Sequence, residues 1–513
     1  MKANSAKICV PVCVQRASDL AAAIERASGV ADIVELRLDC LAENERDTTA
    51  SSLPGCLNSA GAPTILTLRS AEQGGHTSAD RETRRRFWSS LHNLPVNCLI
   101  DLELDLVLDF AAGEPHKESW IDWSRVICSH HDFGGVPVDL DRIYERMAAT
   151  PARILKIAVQ ADDATDCLPI FRLLERARRE GREMIAIAMG QAGIMTRILG
   201  PSRGSFLTYG SLDDESATAP GQLTAQELRE VYRIDRIDQQ TEIIGIIGKP
   251  VGHSLSPHIH NAAFAAGQVN AVYIPFEVKD AIQFMRRMVH PQSCELDWKL
   301  RGLSVTAPHK SVVMNCLDWI DPAAKEIGAV NTILIQKDEL RGYNTDAAGF
   351  IEPLRRKFGS LKDARCAIIG CGGGARAALW GLRNAGAQAA LFVRDLAKAR
   401  PVSEEFAIDS YQLSSASFDG FDILVNATPL GTRGDREHDS AANADQFRGV
   451  RLAYDLVYNP VETRFLREAR AAGCETVGGI EMLLAQAVEQ FKLWMGNEPD
   501  AEVMRAAALR ALG

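Results

Sequence analysis

Over the first 210 residues, short apolar runs rich in β-branched side chains alternate with longer amphipathic stretches. The runs are KICVPVCV, DIVELRLD, PTILTLR, CLIDLEL, RVICSHHD, ARILKIAV, MIAIAMG and SFLTYG. They read as strands, and intervening segments such as RRRFWSSLHNL and LPIFRLLERARREG read as helices. Eight strands, each followed by a helix, are what a (β/α)8 barrel of roughly 250 residues requires, although an open doubly wound sheet uses the same alternation. The polar residues favour the barrel. Glu35, Arg37, Asp39, Arg69, Glu103, His130, His131 and Asp132 sit at the C-terminal ends of their runs, on the face where barrels place chemistry.

A Gly/Ser/Pro-containing stretch and the polar helix TAQELREVYRIDRIDQQ follow, and the pattern restarts at EIIGIIGKPVGHSLSP, so a boundary is expected at 235–241. From there to about residue 345 the runs IIGIIG, AVYIPFEV, LRGLSVTAP and AVNTILIQ alternate with helices, as in an open α/β domain. A third unit starts at RCAIIGCGGGARAALWGL, a strand running through a glycine turn into a helix, with AALFVRD as its second strand. The end of the chain, from GIEMLLAQAVEQFKLWMG, is amphipathic helix, and no solenoid-length repeat is present.

The 513 residues suit about three domains rather than one core. Hydrophobic residues at 46%, charged residues at 24% and a mean hydropathy of −0.09 are those of an ordinary globular protein. A net charge of −10 provides no global basic field for nucleic acid or an anionic membrane, so any anionic ligand is caught by local groups. The N-terminal run MKANSAKICVPVCVQ lacks the apolar core and cleavage site of a signal peptide, no apolar run approaches the ~20 residues of a membrane span, and a cytoplasmic location is expected. The 12 cysteines include no CxxC pair; those in apolar runs, Cys9, Cys13, Cys98, Cys128 and Cys366, are expected as buried reduced thiols, with no metal site.

Lys156 lies near the end of the sixth run with apolar neighbours on both sides. An amine attacks a carbonyl only when neutral, and apolar surroundings favour that form, so Lys156 suits Schiff-base chemistry; an amine reaching a carboxylate at the barrel mouth is the equal alternative. His131, on the preceding strand, could take and return a proton, and of the adjacent pair His130–His131 only one can point inward.

The segments ELRLD (35–39), RSAEQGG (69–75), HHDF (130–133), LKIAV (155–159), the Met-Gly-x-x-Gly-x-x-x-Arg run ending at Arg197, and TAPGQ (218–222) resemble, in order, type I 3-dehydroquinate dehydratase over residues 5–230. The resemblance implies that Lys156 forms an iminium with the substrate ketone and that His131 removes the adjacent C–H proton and then protonates the departing hydroxyl. It also implies Arg197 as the carboxylate partner, with Glu35, Arg37, Arg69, Thr218 and Gln222 around the substrate. Two positions depart from the family pattern. Gln73 stands where many relatives have a Glu that orients the histidine; it can still hydrogen-bond the ring but adds no charge, so a somewhat lower basic limb of the pH profile is expected. Thr218 replaces a Ser and keeps the hydroxyl.

In the second half, Ser254 and Ser256 of GHSLSP could grip a carboxylate or could be simple turn residues. Lys310 and Asp346 could be an exposed ion pair or a proton-transfer dyad. GCGGGA (370–375) lies between a predicted strand and a helix, the context of a dinucleotide turn. Together GKPVGHSLSPHIHN, LSVTAPHK, GAVNT, GYNTDAAGF, NATPLG, YDLVYNP and GGIEMLLAQA resemble shikimate dehydrogenase over about 242–510. The resemblance implies Lys310 as proton donor to the carbonyl oxygen, fixed by Asp346, with Ser254, Ser256, Thr306, Asn331, Tyr458 and Gln486 holding substrate. Gly370, Gly372, Gly373, Gly374, Ala375, Arg394, Thr428 and Gly479 are then the cofactor contacts. Of the family's Asn-Arg-Thr phosphate-reading run only Arg394 remains, in Val393-Arg394-Asp395; NADP is expected, while an inward-pointing Asp395 would leave room for NAD.

The resemblances imply an α/β protein: a (β/α)8 TIM barrel (1–235), then a two-domain dehydrogenase with a substrate-binding domain (242–347), a Rossmann NADP domain (348–478) and a helical segment (479–513) packing back on it. The implied activity is a fused shikimate-pathway enzyme acting on small-molecule substrates, with no nucleic-acid or membrane partner and an open oligomeric state. Two alternatives remain at this point. The second half could use quinate, which the Ser254/Ser256 pair disfavours, or the chain could be a metabolite sensor, which retention of Lys156, His131, Lys310 and Asp346 disfavours.

Overall fold

The computed structural model describes residues 6–60, 63–112, 121–216, 218–219 and 221–512. The first five residues of the N-terminal run and Pro220 of TAPGQ lie outside them. The chain packs as two compact units, one of residues 1–242, 249–252 and 274–299 and the other of 243–248, 253–273 and 300–513.

The first unit carries β1 (Ile8–Val12), β2 (Ile33–Arg37), β3 (Thr64–Thr67), β4 (Cys98–Glu103), β5 (Val126–Asp132), β6 (Ile154–Gln160), β7 (Glu183–Met189) and β8 (Thr208–Tyr209). These are the eight apolar runs of the sequence. They pair in the order β7-β6-β5-β4-β3-β2-β1-β8, all parallel. A parallel bridge between Met184 and Ser205, with the Phe206 N–H donating to the Met184 carbonyl at 2.8 Å, brings the ring to closure. Strands covered on both faces need apolar residues at successive positions, which is why β6 is buried over Ile154–Val159 and shows no simple alternation. Cys9, Ile33, Ile65, Ile127, Ile154, Ile185 and Leu207 fill the interior below the strands' C-terminal ends. The helix Leu168–Arg179 shows how the outer ring is specified: a capping box of Asp163 and Asp166 starts the preceding turn, and Leu168, Ile170, Phe171, Leu173, Leu174 and Ala177 are its buried residues.

Cys13 and Cys40 are joined by a disulfide, which corrects the expectation that Cys13 is a buried thiol. The parallel register Val12↔Leu36 brings the ends of β1 and β2 to the same rim, so residues 27 apart in sequence meet there. Cys9, Cys98, Cys128, Cys167, Cys366 and Cys474 are free and buried.

One mixed sheet is built from β9 (Glu242–Gly248), β10 (Ala271–Glu277), β11 (Leu300–Val305), β12 (Trp319–Ile320), β13 (Thr332–Gln336) and β14 (Glu339–Tyr343), in the order β10-β9-β11-β13-β14-β12. β13 runs antiparallel to both β11 and β14. The apolar runs do not reveal β12, which has two residues, or β14, where only Leu340 and Gly342 are buried.

The third sheet holds β15 (Arg365–Ile369), β16 (Gln388–Val393), β17 (Ser410–Gln412), β18 (Ile423–Asn426), β19 (Leu452–Asp455) and β20 (Glu475–Val477), all parallel. The order β17-β16-β15-β18-β19-β20 is the doubly wound 3-2-1-4-5-6 arrangement. Strand alternation feeds two cores: Ile368, Val393 and Val425 join one cluster, and Ile369, Phe392 and Leu424 the other. The strand order reverses between β15 and β18, and the crevice beyond that point is where such sheets take nucleotides.

Candidate functional site

At the C-terminal ends of the barrel strands, a pocket is lined by Glu35, Arg37, Arg69, His131, Lys156, Arg197, Thr218 and Gln222, all eight barrel residues singled out from sequence. Thr67, Gln73, Phe133 and Tyr209 complete much of the wall. Parallel pairing explains the convergence. Ser129 on β5 sits opposite Lys156 on β6, and His131, two residues beyond Ser129, shares its face. His131 is therefore the inward member of the histidine pair.

Lys156 is 5% exposed and sits in a cage of acceptors. Its Nζ lies 2.9 Å from Asp101 Oδ2, 2.8 Å from the Tyr209 hydroxyl and 3.3 Å from Glu35 Oε1. Burial works against the charge of Asp101, yet Arg69, Lys156 and a hydrogen bond from Ser129 outweigh it and hold the carboxyl down at about 2. Arg69 bridges the same cluster, with Nη2 2.9 Å from Asp101 and Nη1 donating to Ser129 Oγ at 2.7 Å. Both readings of Lys156 meet here: the amine does reach carboxylates, and Asp101 and Glu35 hold it in place inside the pocket.

Burial, reinforced by the charges of Arg69, Lys156 and Arg37, pushes the His131 imidazole well below its usual value, so the ring is neutral and able to accept a proton. Gln73 does not bond to the ring: its Oε1 accepts from the His131 backbone N–H at 3.0 Å, while the ring Nδ1 is buried without a hydrogen-bond partner. This corrects the expectation for Gln73, which fixes the strand end rather than the imidazole. Arg197 is 2% exposed, and burial lowers it to about 10. Among the described residues its one hydrogen bond, to the Tyr209 carbonyl, is 3.4 Å long, and its Nε is buried without a partner. A buried guanidinium so sparsely paired provides a receptor for an anion. Arg37 is engaged by contrast, its guanidinium bidentate on Asp39 at 2.9 and 2.7 Å. The Thr218 N–H donates to Gln222 Oε1 at 2.9 Å, and the turn between them needs Gly221, since a Cβ there would lie 2.2 Å from the Gly190 carbonyl oxygen.

A second pocket, in the second unit, is lined by Ser254, Ser256, Thr306, Lys310, Asn331, Asp346, Tyr458 and Gln486, again every residue proposed for it from sequence. Lys310 Nζ is 2.5 Å from Asp346 Oδ2, and Asn331 Nδ2 donates to Asp346 Oδ1 at 2.8 Å. Both carboxylate oxygens are thus fixed, and Asp346 opens the helix Asp346–Phe358, where the helix dipole favours its charge. Ser304 and Gln490 also line this pocket, hydrogen-bonded to each other at 3.0 Å.

The glycine turn leaves β15 at Gly370 (φ 108°), packed against Ala427 and Thr428 at the end of β18. Gly372 caps the helix Gly373–Asn384 with no side chain, so its first N–H groups are open to an anion. A Cβ on Gly372 meets nothing within 4 Å and one on Gly373 only the Lys310 side chain, so side chains there would fill the cradle rather than clash with protein. The cradle fits a dinucleotide pyrophosphate. Gly374 and Gly479 line the second pocket, and Ala375 is buried in the helix. Gly479 is required by packing, because a Cβ would lie 2.5 Å from the Leu456 and Val457 carbonyl oxygens. Arg394 is exposed just past β16, and Asp395 caps the helix Leu396–Phe406 by accepting from the Ala397 N–H at 3.0 Å.

Family models match along the chain in the same order. That for type I 3-dehydroquinase covers residues 8–239, that for the shikimate dehydrogenase substrate binding domain 246–333, and that for the shikimate 5′-dehydrogenase C-terminal domain 479–509. A chloroplastic bifunctional 3-dehydroquinate dehydratase/shikimate dehydrogenase of Arabidopsis thaliana is 33% identical, over 96% of this chain and 82% of its own length. A shikimate dehydrogenase (NADP(+)) of Methanopyrus kandleri is 37% identical over 54% of this chain and 98% of its own. A crystal structure of shikimate dehydrogenase in complex with NADP+ superposes with a TM-score of 0.51 at 36% identity, covering 54% of this chain and 98% of that one. Among the described residues no helix is long and apolar enough to cross a membrane.

Proposed function

The chain belongs to the bifunctional 3-dehydroquinate dehydratase/shikimate dehydrogenase family, and we propose which of its residues carry each reaction. It is a bifunctional shikimate-pathway enzyme, dehydrating 3-dehydroquinate to 3-dehydroshikimate in the barrel and reducing that product to shikimate with NADPH in the second unit.

In the barrel, the Lys156 ammonium lends a proton to the neighbouring Glu35, the freed amine adds to the substrate ketone, and that proton returns to the carbinolamine hydroxyl, which leaves as water to give the iminium; Asp101 stays ionised as the counter-ion. The iminium draws electrons from the neighbouring C–H bond, and neutral His131 takes the proton. His131 returns it to the departing hydroxyl, which leaves as water, and hydrolysis of the conjugated iminium frees product and Lys156. Arg197 binds the substrate carboxylate, while Arg37, Arg69, Thr218 and Gln222 hold its remaining polar groups. The observation that carries the assignment is one pocket holding a caged buried amine, a buried neutral imidazole and a buried, sparsely paired guanidinium.

In the second unit, Lys310 delivers a proton to the carbonyl oxygen, and Asp346, itself held by Asn331, orients it. Ser254, Ser256, Thr306, Tyr458 and Gln486 hold the substrate. NADPH supplies the hydride. Gly370, Gly372, Gly373, Gly374, Ala375, Thr428 and Gly479 would form its cradle, and Arg394 would pair with the 2′-phosphate. Asp395 is turned into its helix cap, where its carboxylate accepts the Ala397 N–H, and this supports a phosphate on Arg394. We assign residues 1–235 to the dehydratase, 242–347 to substrate binding, 348–478 to NADP binding and 479–513 to the helical segment that packs back on the dehydrogenase.

A coupled assay tests the reading. 3-Dehydroquinate plus NADPH should yield shikimate with matching cofactor oxidation, the Lys156→Ala chain should do so only when 3-dehydroshikimate is supplied, and Lys310→Ala should stop at 3-dehydroshikimate. Turnover of 3-dehydroquinate by Lys156→Ala would overturn the barrel assignment.

A further inference from the structure

Three consecutive barrel strands each deliver one soft or borderline metal ligand to the rim outside the substrate pocket. Cys13 follows β1, Cys40 ends the turn Leu38–Cys40 after β2, and His76 follows the RSAEQGG turn after β3. Their Sγ, Sγ and ring-nitrogen ligand atoms all lie within 4.8 Å of one another, and they border one open pocket with Gln15 and Glu43. None of the three lines the substrate pocket.

The scaffold beneath them is fixed. Asp39 Oδ2 accepts the His76 N–H at 3.0 Å, and Asp39 Oδ1 accepts the Arg69 N–H at 3.2 Å. Arg46 ties Thr77 to the Leu41 carbonyl with bonds of 3.0 and 3.2 Å. The backbone that presents Cys40 and His76 is therefore held whether or not the two sulfurs are bonded to each other.

We propose that Cys13, Cys40 and His76 form a redox-gated zinc site. In the oxidised chain the sulfurs are bonded together and cannot ligate. A dithiol reductant transfers two electrons and two protons, breaking the Cys13–Cys40 bond into two thiols while it becomes a disulfide itself. Zinc then binds the two thiolates and the neutral imidazole, releasing the two thiol protons. A tetrahedral zinc holds its ligand atoms about 3.5–3.8 Å apart: the sulfurs part to that distance once their bond is broken, the imidazole nitrogen already lies within 4.8 Å of both, and the fourth position faces the open pocket, where water completes it. Exchange with a disulfide oxidant, which takes up the two electrons and two protons and becomes a dithiol, restores the Cys13–Cys40 bond and releases the metal. Asp39 is shared between this rim and the Arg37 clamp, which links the site to the wall of the dehydratase pocket.

The test uses the full chain. Oxidised and phosphine-reduced protein, wild type and Cys13→Ser/Cys40→Ser, are incubated anaerobically with Zn2+, gel-filtered and assayed for bound zinc by mass spectrometry, and accessible thiols are titrated with and without the metal. Reduced wild type should retain about one zinc more per chain than the reduced double variant or the oxidised wild type, and zinc should shield two thiols. His76→Ala should weaken binding at least about 10-fold, with dehydratase activity reporting that each variant is folded. Equal zinc in reduced wild type and double variant, or equal zinc in oxidised and reduced wild type, would overturn the proposal.

Discussion

Lys156 Nζ and Asp101 Oδ2 are 2.9 Å apart inside the barrel, and neither residue is more than 5% exposed. The pairing sets the charge state of the whole site. A buried ammonium needs a counter-ion, and a buried carboxylate held at about 2 is ionised wherever the enzyme works.

Replacing Asp101 by Asn removes that counter-ion while keeping the shape. The carboxyl moves from its ordinary 3.8 to about 2 on folding, so its contribution of about 2 kcal/mol is fully present above pH 3.8 and is lost as pH falls to about 2. Asp101→Asn should lower stability at neutral pH by about 2–3 kcal/mol, with the gap to wild type closing across that acid window in denaturant titrations. An equal gap at every pH would contradict the linkage.

Gln73 provides a separate handle on the base. Its carbonyl faces the His131 N–H, so Gln73→Glu brings a negative charge next to an imidazole that burial and Arg69 have pushed down. The charge should raise the His131 pKa, and because His131 must be neutral to act, the acidic limb of the dehydratase pH–rate profile should move upward. An unchanged profile would sever Gln73 from the base.

For the second reaction, Lys310→Ala should cut shikimate oxidation by about 100- to 10,000-fold and leave the dehydratase rate untouched. A parallel loss of both activities would point to misfolding rather than proton transfer.

We assign cofactor choice to Arg394. Arg394→Ala should raise the KM for NADPH about 10- to 100-fold and leave that for NADH nearly unchanged. A similar rise for both cofactors would remove Arg394 from phosphate recognition.

Much of this was legible in the residues, and what was not has physical reasons. The barrel was readable because its strands are short, largely apolar runs separated by amphipathic stretches, as in MIAIAMG, and each pocket brings together the residues the motifs marked for substrate and catalysis. Asp101 went unmarked although a charge between Ile100 and Leu102, in the middle of a buried strand, is itself a signal that it has a partner across the barrel. Tyr209 went unmarked in SFLTYG, and only the curvature of the ring brings its hydroxyl to Lys156, more than fifty residues away. Gln490 lies one helical turn past Gln486, a spacing that places both on one face and could have found it. The Cys13–Cys40 pair depends on strand register, which residue spacing alone does not encode.

The central claim is that Lys156 forms a covalent intermediate. Borohydride added during turnover of 3-dehydroquinate, followed by peptide mass spectrometry, should show loss of dehydratase activity and a single reduced adduct on Lys156, absent without substrate. Full retention of activity, or an adduct on any other lysine with Lys156 unmodified, would contradict the account.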